Sequence, residues 1–162
     1  MNKENLATYL NDHLAGSVMA LELMQHLASE HAESSLERVL AGLHADVEAD
    51  RRELQDVMAR LDISESGTRK ATAWLAEKAA QLKLLVDDQG GGALRLFESL
   101  EALSLGLEGK RSLWRALRAA SEELPELTGI DYTRLVQRSE EQRSRIEGAR
   151  LEAAKAAFGE AN

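Results

Sequence analysis

The sequence predicts an all-α protein, and three observations carry that prediction. The 162 residues contain one proline, Pro125, so helices are almost nowhere interrupted by a missing amide hydrogen. Alanine, leucine, glutamate and arginine, all strong helix formers, dominate the chain. Apolar residues recur every three or four positions over long stretches, which places them on one face of an α-helix. The length suits a single domain, 1–162, with a core large enough to be stable without disulfide bonds or structural metal ions.

Four breaks divide the apolar pattern into five helical segments. "HAESS" interrupts the first long stripe, and "DISESG" follows the second. "QGGG" is the strongest breaker, since three consecutive glycines form a joint or a sharp turn. "EELPELTGID" is the last loop, with a proline and a glycine as turn residues. The predicted helices span residues 3–31, 36–61, 68–86, 93–120 and 131–158.

Polar residues at the predicted helix starts are expected to act as N-caps, because their side chains can accept hydrogen bonds from free backbone amides. Asn2 precedes the first helix and Asp131 begins the last. Ser34 or Ser35 can cap the second, and Ser34-x-x-Glu37 has the spacing of a capping box.

The loop lengths predict how the helices connect. A short loop joins the first two helices and another joins the last two, so each pair is expected to form an antiparallel hairpin. About thirty residues with the shorter helix 68–86 lie between the hairpins. That length is enough to return along the bundle, which predicts a four-helix bundle with one long crossover.

This arrangement resembles the ferritin-like superfamily. The resemblance is carried by the paired long helices, with "HADVEAD" in the second and "FESLEALSLGLEGK" in the fourth. It implies a di-metal site built from a Glu on each of two helices and a Glu-x-x-His on each of the others. Here Glu48 is followed by Arg51, Glu140 by Arg143 and Glu141 by Ser144, and no Glu-x-x-His occurs in the chain. The departures put ferroxidase or oxygenase chemistry in doubt.

Polar residues interrupt the apolar stripe of each long helix. In an antiparallel hairpin, two residues at the same level along the bundle axis have numbers with a constant sum. That sum should be about 67 in the first hairpin and about 251 in the second. This alignment places Ser17, Asp50, Lys110 and Gln142 in one layer, provided that the second and fourth helices start at the same end. We expect an Asp50–Lys110 ion pair there, with Ser17, His13 and Gln142 as hydrogen-bond partners, because a buried charge must be paired. The Lys110 ammonium would then replace the charge of a metal; alternatively, both charged side chains reach water at the edge of the stripe.

The best remaining candidate for a metal site consists of four residues just beside the apolar stripes. His44 and Glu48 share one face of a helix, and Glu22 and Glu101 lie near the same height. Carboxylate and imidazole ligands would suit Fe, Mn or Zn. The same flanking positions are typical of solvated charges and interhelical salt bridges.

Composition restricts the partners. A net charge of -8 disfavours nucleic acid, and the absence of cysteine excludes disulfides and thiol chemistry. No apolar run is long enough to cross a bilayer and no signal peptide is recognisable, so we expect a cytoplasmic protein without a membrane partner. Gly90–Gly92 lack the lysine and spacing of a phosphate-binding loop.

Three functions from different classes remain. The first is a non-catalytic ferritin-like bundle that acts through protein interaction or self-assembly, with a dimer expected, no cofactor, and the crossover helix as the natural contact element. The second is a metal-binding protein or oxidoreductase that uses Fe or Mn at the four flanking residues. The third is a ligand-binding bundle with a cavity beside the small residues of the last helix.

Gly106 and Gly109, in the predicted helix 93–120, are expected to permit close approach of another helix.

Overall fold

Four long helices make up most of the chain that the computed structural model describes, which is residues 2–65 and 92–159. Their bounds lie within one residue of the predicted ones, and no strand occurs in the described ranges. The predicted helix 68–86 falls outside these ranges. The helices are α1 (Lys3–Glu30), α2 (Ser35–Arg60), α3 (Gly92–Ala120) and α4 (Tyr132–Phe158), with a short 3-10 helix at Pro125–Leu127.

Three of the four helix starts are capped by the predicted side chains. Asn2 accepts a hydrogen bond from the amide of the third residue of α1, and Asp131 does the same for α4. At α2 the cap is Ser34, whose hydroxyl oxygen accepts from the Glu37 amide at 3.1 Å. The Glu37 carboxylate accepts in turn from the backbone amide of Glu33 at 2.6 Å. These side chains satisfy amides that would otherwise have no partner in the first turn.

Two antiparallel hairpins form the bundle, as predicted: α1 packs on α2, and α3 packs on α4. The hairpins meet along α1–α3 and α2–α4. Three ion pairs fix the register of the second hairpin, and the residue numbers in each add up to 251, the value expected from the sequence. These pairs are Arg111–Glu140, Glu108–Arg143 and Glu101–Arg150.

The apolar core is divided into two clusters. One holds residues from the first half of α1 and α4 and from the second half of α2 and α3, among them Leu10, Leu54, Trp114 and Leu135. The other holds the opposite halves, among them Met24, Leu43, Leu103 and Ile146. Therefore α2 and α3 start at the same end of the bundle and run parallel, while α1 and α4 run the other way.

The two clusters contain large side chains that are fully buried. Trp114 and Met24 are both buried, at 0% and 1% exposure. None of the described helices is long and apolar enough to cross a membrane.

Candidate functional site

A layer of polar side chains lies between the two apolar clusters. In α2, Asp50 follows Val47 of one cluster and precedes Leu54 of the other. Lys110 and Gln142 occupy the corresponding positions of α3 and α4. Asp50 is 2% exposed and Gln142 1%, so the layer is inside the bundle and not at its edge.

Three side chains of the layer are joined in a closed triangle of hydrogen bonds. The Lys110 ammonium donates to Oδ2 of Asp50 and to Oε1 of Gln142. The Gln142 Nε2 donates to the same Asp50 oxygen at 2.9 Å. The amide of Gln142 is oriented by its neighbours, because its oxygen faces the cation and its NH₂ faces the carboxylate. Bonds between charged groups are about twice as strong as neutral ones.

A fourth member of the layer, Arg138 on α4, is missing from the sequence prediction. Its Nη2 lies 2.5 Å from Oδ1 of Asp50 and donates to the carbonyl oxygen of Asp46 at 3.2 Å. Arg138 is four residues before Gln142 and therefore on the same face of α4. That spacing is the signal in the sequence, although Arg138 itself does not interrupt the apolar stripe.

The α2–α4 contact continues the same pattern on both sides of the layer. Arg134 forms an ion pair with Glu53 at 2.7 Å, and Arg145 forms one with Asp46. Acidic residues of α2 thus face arginines of α4 along the seam. Only Asp50 among these acids is fully buried.

The surroundings of the Lys110 ammonium disfavour its charged form. Burial lowers the pKa of the Lys110 ammonium below its ordinary value, and the Arg138 charge acts in the same direction. The Asp50 carboxylate opposes this shift through its charge and its hydrogen bond, and Asp46 contributes from further away. The Lys110 side chain remains 14% exposed.

The structure does not join the other two predicted members to the triangle. The Ser17 hydroxyl donates to the carbonyl oxygen of Leu14 in its own helix at 2.6 Å, a common local bond for serine in helices. His13 packs edge-to-face on Tyr9, with ring centroids 4.7 Å apart. Burial lowers the pKa of His13 to about 4. Of the three expected partners only Gln142 bonds to Asp50, and Arg138 supplies a contact that was not predicted.

The four candidate metal ligands are not brought together as a ligand set. In the described ranges, no three His, Asp or Glu side chains form a group that could hold a metal ion. Glu22 and Glu48 are exposed, and His44 is half-buried. Glu101 accepts a hydrogen bond from Arg150 at 2.9 Å. For Glu101, the flanking position on α3 directs the carboxylate toward an arginine of the antiparallel neighbour α4.

The residues at the centre do not fit a di-metal group. Such a group needs several carboxylate and imidazole ligands, whereas the layer has one carboxylate that contacts an ammonium and a guanidinium. Both cations would repel a metal ion placed beside Asp50. The arrangement can hold the helices at one height, and it offers no free ligand oxygen for a metal.

A surface depression lies apart from this layer, on the outside of α3. It has a volume of about 500 Å³ and is open to solvent. None of its lining residues belongs to the layer; they are Ser112, Arg115, Ala116, Arg118, Ala119 and Glu122.

Comparison with known proteins finds no matching family model, no matching curated protein and no matching solved structure. The function is therefore argued from the geometry of this chain alone.

Proposed function

We propose that this protein is a non-catalytic ferritin-like helical bundle that acts through protein interaction or self-assembly. In this proposal the charged layer of Asp50, Lys110, Arg138 and Gln142 takes the place of a di-metal centre. The connectivity supports the ferritin-like assignment. Two antiparallel hairpins with α2 and α3 parallel are the helix directions of a bundle with a single long crossover.

The observation that carries the proposal is the position of the Lys110 ammonium. It lies between the helices at mid-height, where it donates to Asp50 and Gln142. A ferritin-like metal centre would place its ions in the core of the bundle, bound by side chains from facing helices. Lys110 and Arg138 already neutralise the one buried carboxylate of that region, so a metal ion has no charge to compensate.

A role in contacts is supported by the surface. Several large apolar side chains are exposed on the described helices, including Leu105 at 68% and Phe158 at 67%. Single exposed apolar residues are ordinary. Leu105 is notable because small uncharged residues continue its face toward the end of α3.

The proposal is tested by metal analysis of the full chain, purified without chelator and then incubated with Fe(II) under air or with Mn(II). We expect far less than one metal ion per chain, and no effect of either metal on the unfolding temperature. The variant His44→Ala should behave like the wild type in both measurements. His31→Ala, at the end of α1, is the matched control for loss of a histidine.

Near-stoichiometric iron or manganese that is lost in His44→Ala and kept in His31→Ala would contradict the proposal. It would instead support the metal-binding alternative at Glu22, His44, Glu48 and Glu101. A metal ion that is lost only when Asp50 is changed would also contradict it, since Asp50 would then be a ligand and not the partner of Lys110.

A further inference from the structure

The second half of the outer face of α3 carries no charge. It begins at Leu105, which is 68% exposed, and continues through small residues to Ala119. Glu98 and Glu101 share the face nearer the start of the helix, and Leu94, which is 50% exposed, lies beyond them. The uncharged residues of the second half are Leu105, Gly109, Ser112, Ala116 and Ala119.

Gly106 and Gly109 make this face accessible to a second backbone. A Cβ atom added at either position would meet no atom of the described residues within 4 Å. The close helix approach expected for these glycines therefore does not occur within the described bundle. A partner that packs on this face would find two positions without side chains beside the exposed Leu105.

Charges at the two ends of the face are complementary to each other. Glu98 lies near the start of α3, while Arg115 and Arg118 lie near its end. None of the three forms an ion pair within the described ranges. A second α3 that runs antiparallel would place the acidic end of each face beside the basic end of the other. The face is thus complementary to itself, as an isologous contact requires.

The described chain that follows α2 leaves this face open. The carbonyl oxygen of Ser64 accepts a hydrogen bond from Asn11 of α1 at 3.3 Å. Glu65 accepts one from Gln55 of α2 at 2.7 Å. The described residues just after α2, up to Glu65, therefore lie against the α1–α2 hairpin, whereas the outer face of α3 belongs to the other hairpin.

We infer that a second copy of this chain binds the outer face of α3, with the two α3 helices antiparallel about a two-fold axis near Leu105 and Gly109. Leu94 of each copy would then cover the depression beside Ala116 and Ala119 of the other, and Glu98 would approach Arg115. This inference rests on the self-assembly part of the proposed function and names its surface.

The first test is sedimentation equilibrium of the full chain and of variants. Leu105→Glu should raise the dissociation constant of the dimer about tenfold or more, because it places two like charges at the centre of the contact. Leu151→Glu is the matched control, since Leu151 on α4 is 47% exposed and lies outside the contact. Arg115→Glu should weaken the dimer, and adding Glu98→Arg to it should restore part of the affinity.

The second test uses the absence of cysteine from the chain. The double variant Leu94→Cys with Ala119→Cys should form a disulfide-linked dimer under mild oxidation, because the antiparallel register brings the two positions together across the contact. The double variant Leu94→Cys with Leu151→Cys should stay uncrosslinked under the same conditions.

A monomeric wild type, or a dimer that Leu105→Glu leaves intact, would overturn the inference. A dimer that fails the disulfide test would overturn the antiparallel register. A monomeric wild type would also result if another part of the same chain covered the face. None of these outcomes affects the metal analysis. The dimer surface and the proposed centre without metal are therefore tested by independent measurements.

Discussion

At the scale of single residues, Asp50 shows how a charge is accommodated in an apolar bundle. Its carboxylate is 2% exposed, yet one oxygen accepts from Lys110 and Gln142 and the other contacts Arg138. Removing one partner of such a group leaves the others charged and without compensation. The energetic consequence is therefore much larger for a single substitution than for replacement of the whole pair.

The variant Asp50→Ala is expected to lower the free energy of unfolding by about 3–5 kcal/mol, because Lys110 and Arg138 lose their buried counter-charge. Urea unfolding followed by circular dichroism measures this. The double variant Asp50→Leu with Lys110→Met should recover part of the loss, since it removes the unpaired ammonium and keeps apolar volume, while Arg138 and Gln142 still lack their contacts to Asp50. A loss below about 1 kcal/mol for Asp50→Ala, the range of surface pairs, would show that the layer is solvated.

His13 lies outside the triangle and gives a separate prediction about pH. Folding lowers its pKa from 6.5 to about 4, so the unfolded chain takes up a proton at His13 as the pH falls through 6.5 while the folded chain does not. The stability contributed by this group is fully present above pH 6.5 and is lost as the pH falls to about 4. The loss amounts to about 3 kcal/mol by linkage.

Urea unfolding at several pH values checks the prediction. His13→Leu should lose less stability than the wild type between pH 6.5 and pH 4. The variant His44→Leu, which removes a half-buried histidine from α2, is the control. If His44→Leu reduced the pH dependence of the unfolding free energy as much as His13→Leu does, the effect would not arise from His13.

At the scale of elements, the helix ends follow from local chemistry. Ser34 caps α2 through its hydroxyl, and Glu33 just before it adopts a positive φ of 65°. Polar residues with oxygen on a short side chain compete well for the first free amides of a helix. These contacts involve neighbours in the sequence, so the apolar pattern and the cap residues were enough to place all four described helices.

The variant Ser34→Ala is expected to lower the free energy of unfolding by about 1 kcal/mol, since the Glu37 amide loses its acceptor. Ser35→Ala is the matched control, because Ser35 is exposed and lies one position further along the same helix. Thermal or urea unfolding distinguishes the two. If both variants lost the same amount, the effect would come from helix propensity or hydration and not from the cap.

At the scale of the whole molecule, the polar layer separates the two apolar clusters. Leucine-rich helices can slide by one turn with little loss of contact. A slide of α2 against α4 would move Asp50 away from Gln142 and Arg138, which lie on one face of α4. We expect the layer to fix the relative heights of the hairpins, just as the Glu–Arg pairs fix the height of α3 against α4.

The sequence by itself determined the helices, their caps, the two hairpins and the register of α3 on α4, because these depend on periodicity, neighbouring residues and short loops. It also placed Asp50, Lys110 and Gln142 at one height. Only the tertiary structure decided which side chains reach across that layer. Arg138 contacts Asp50, whereas the Ser17 hydroxyl bonds to its own helix. The partners of a buried carboxylate depend on side-chain length and direction as well as on the level along the bundle axis.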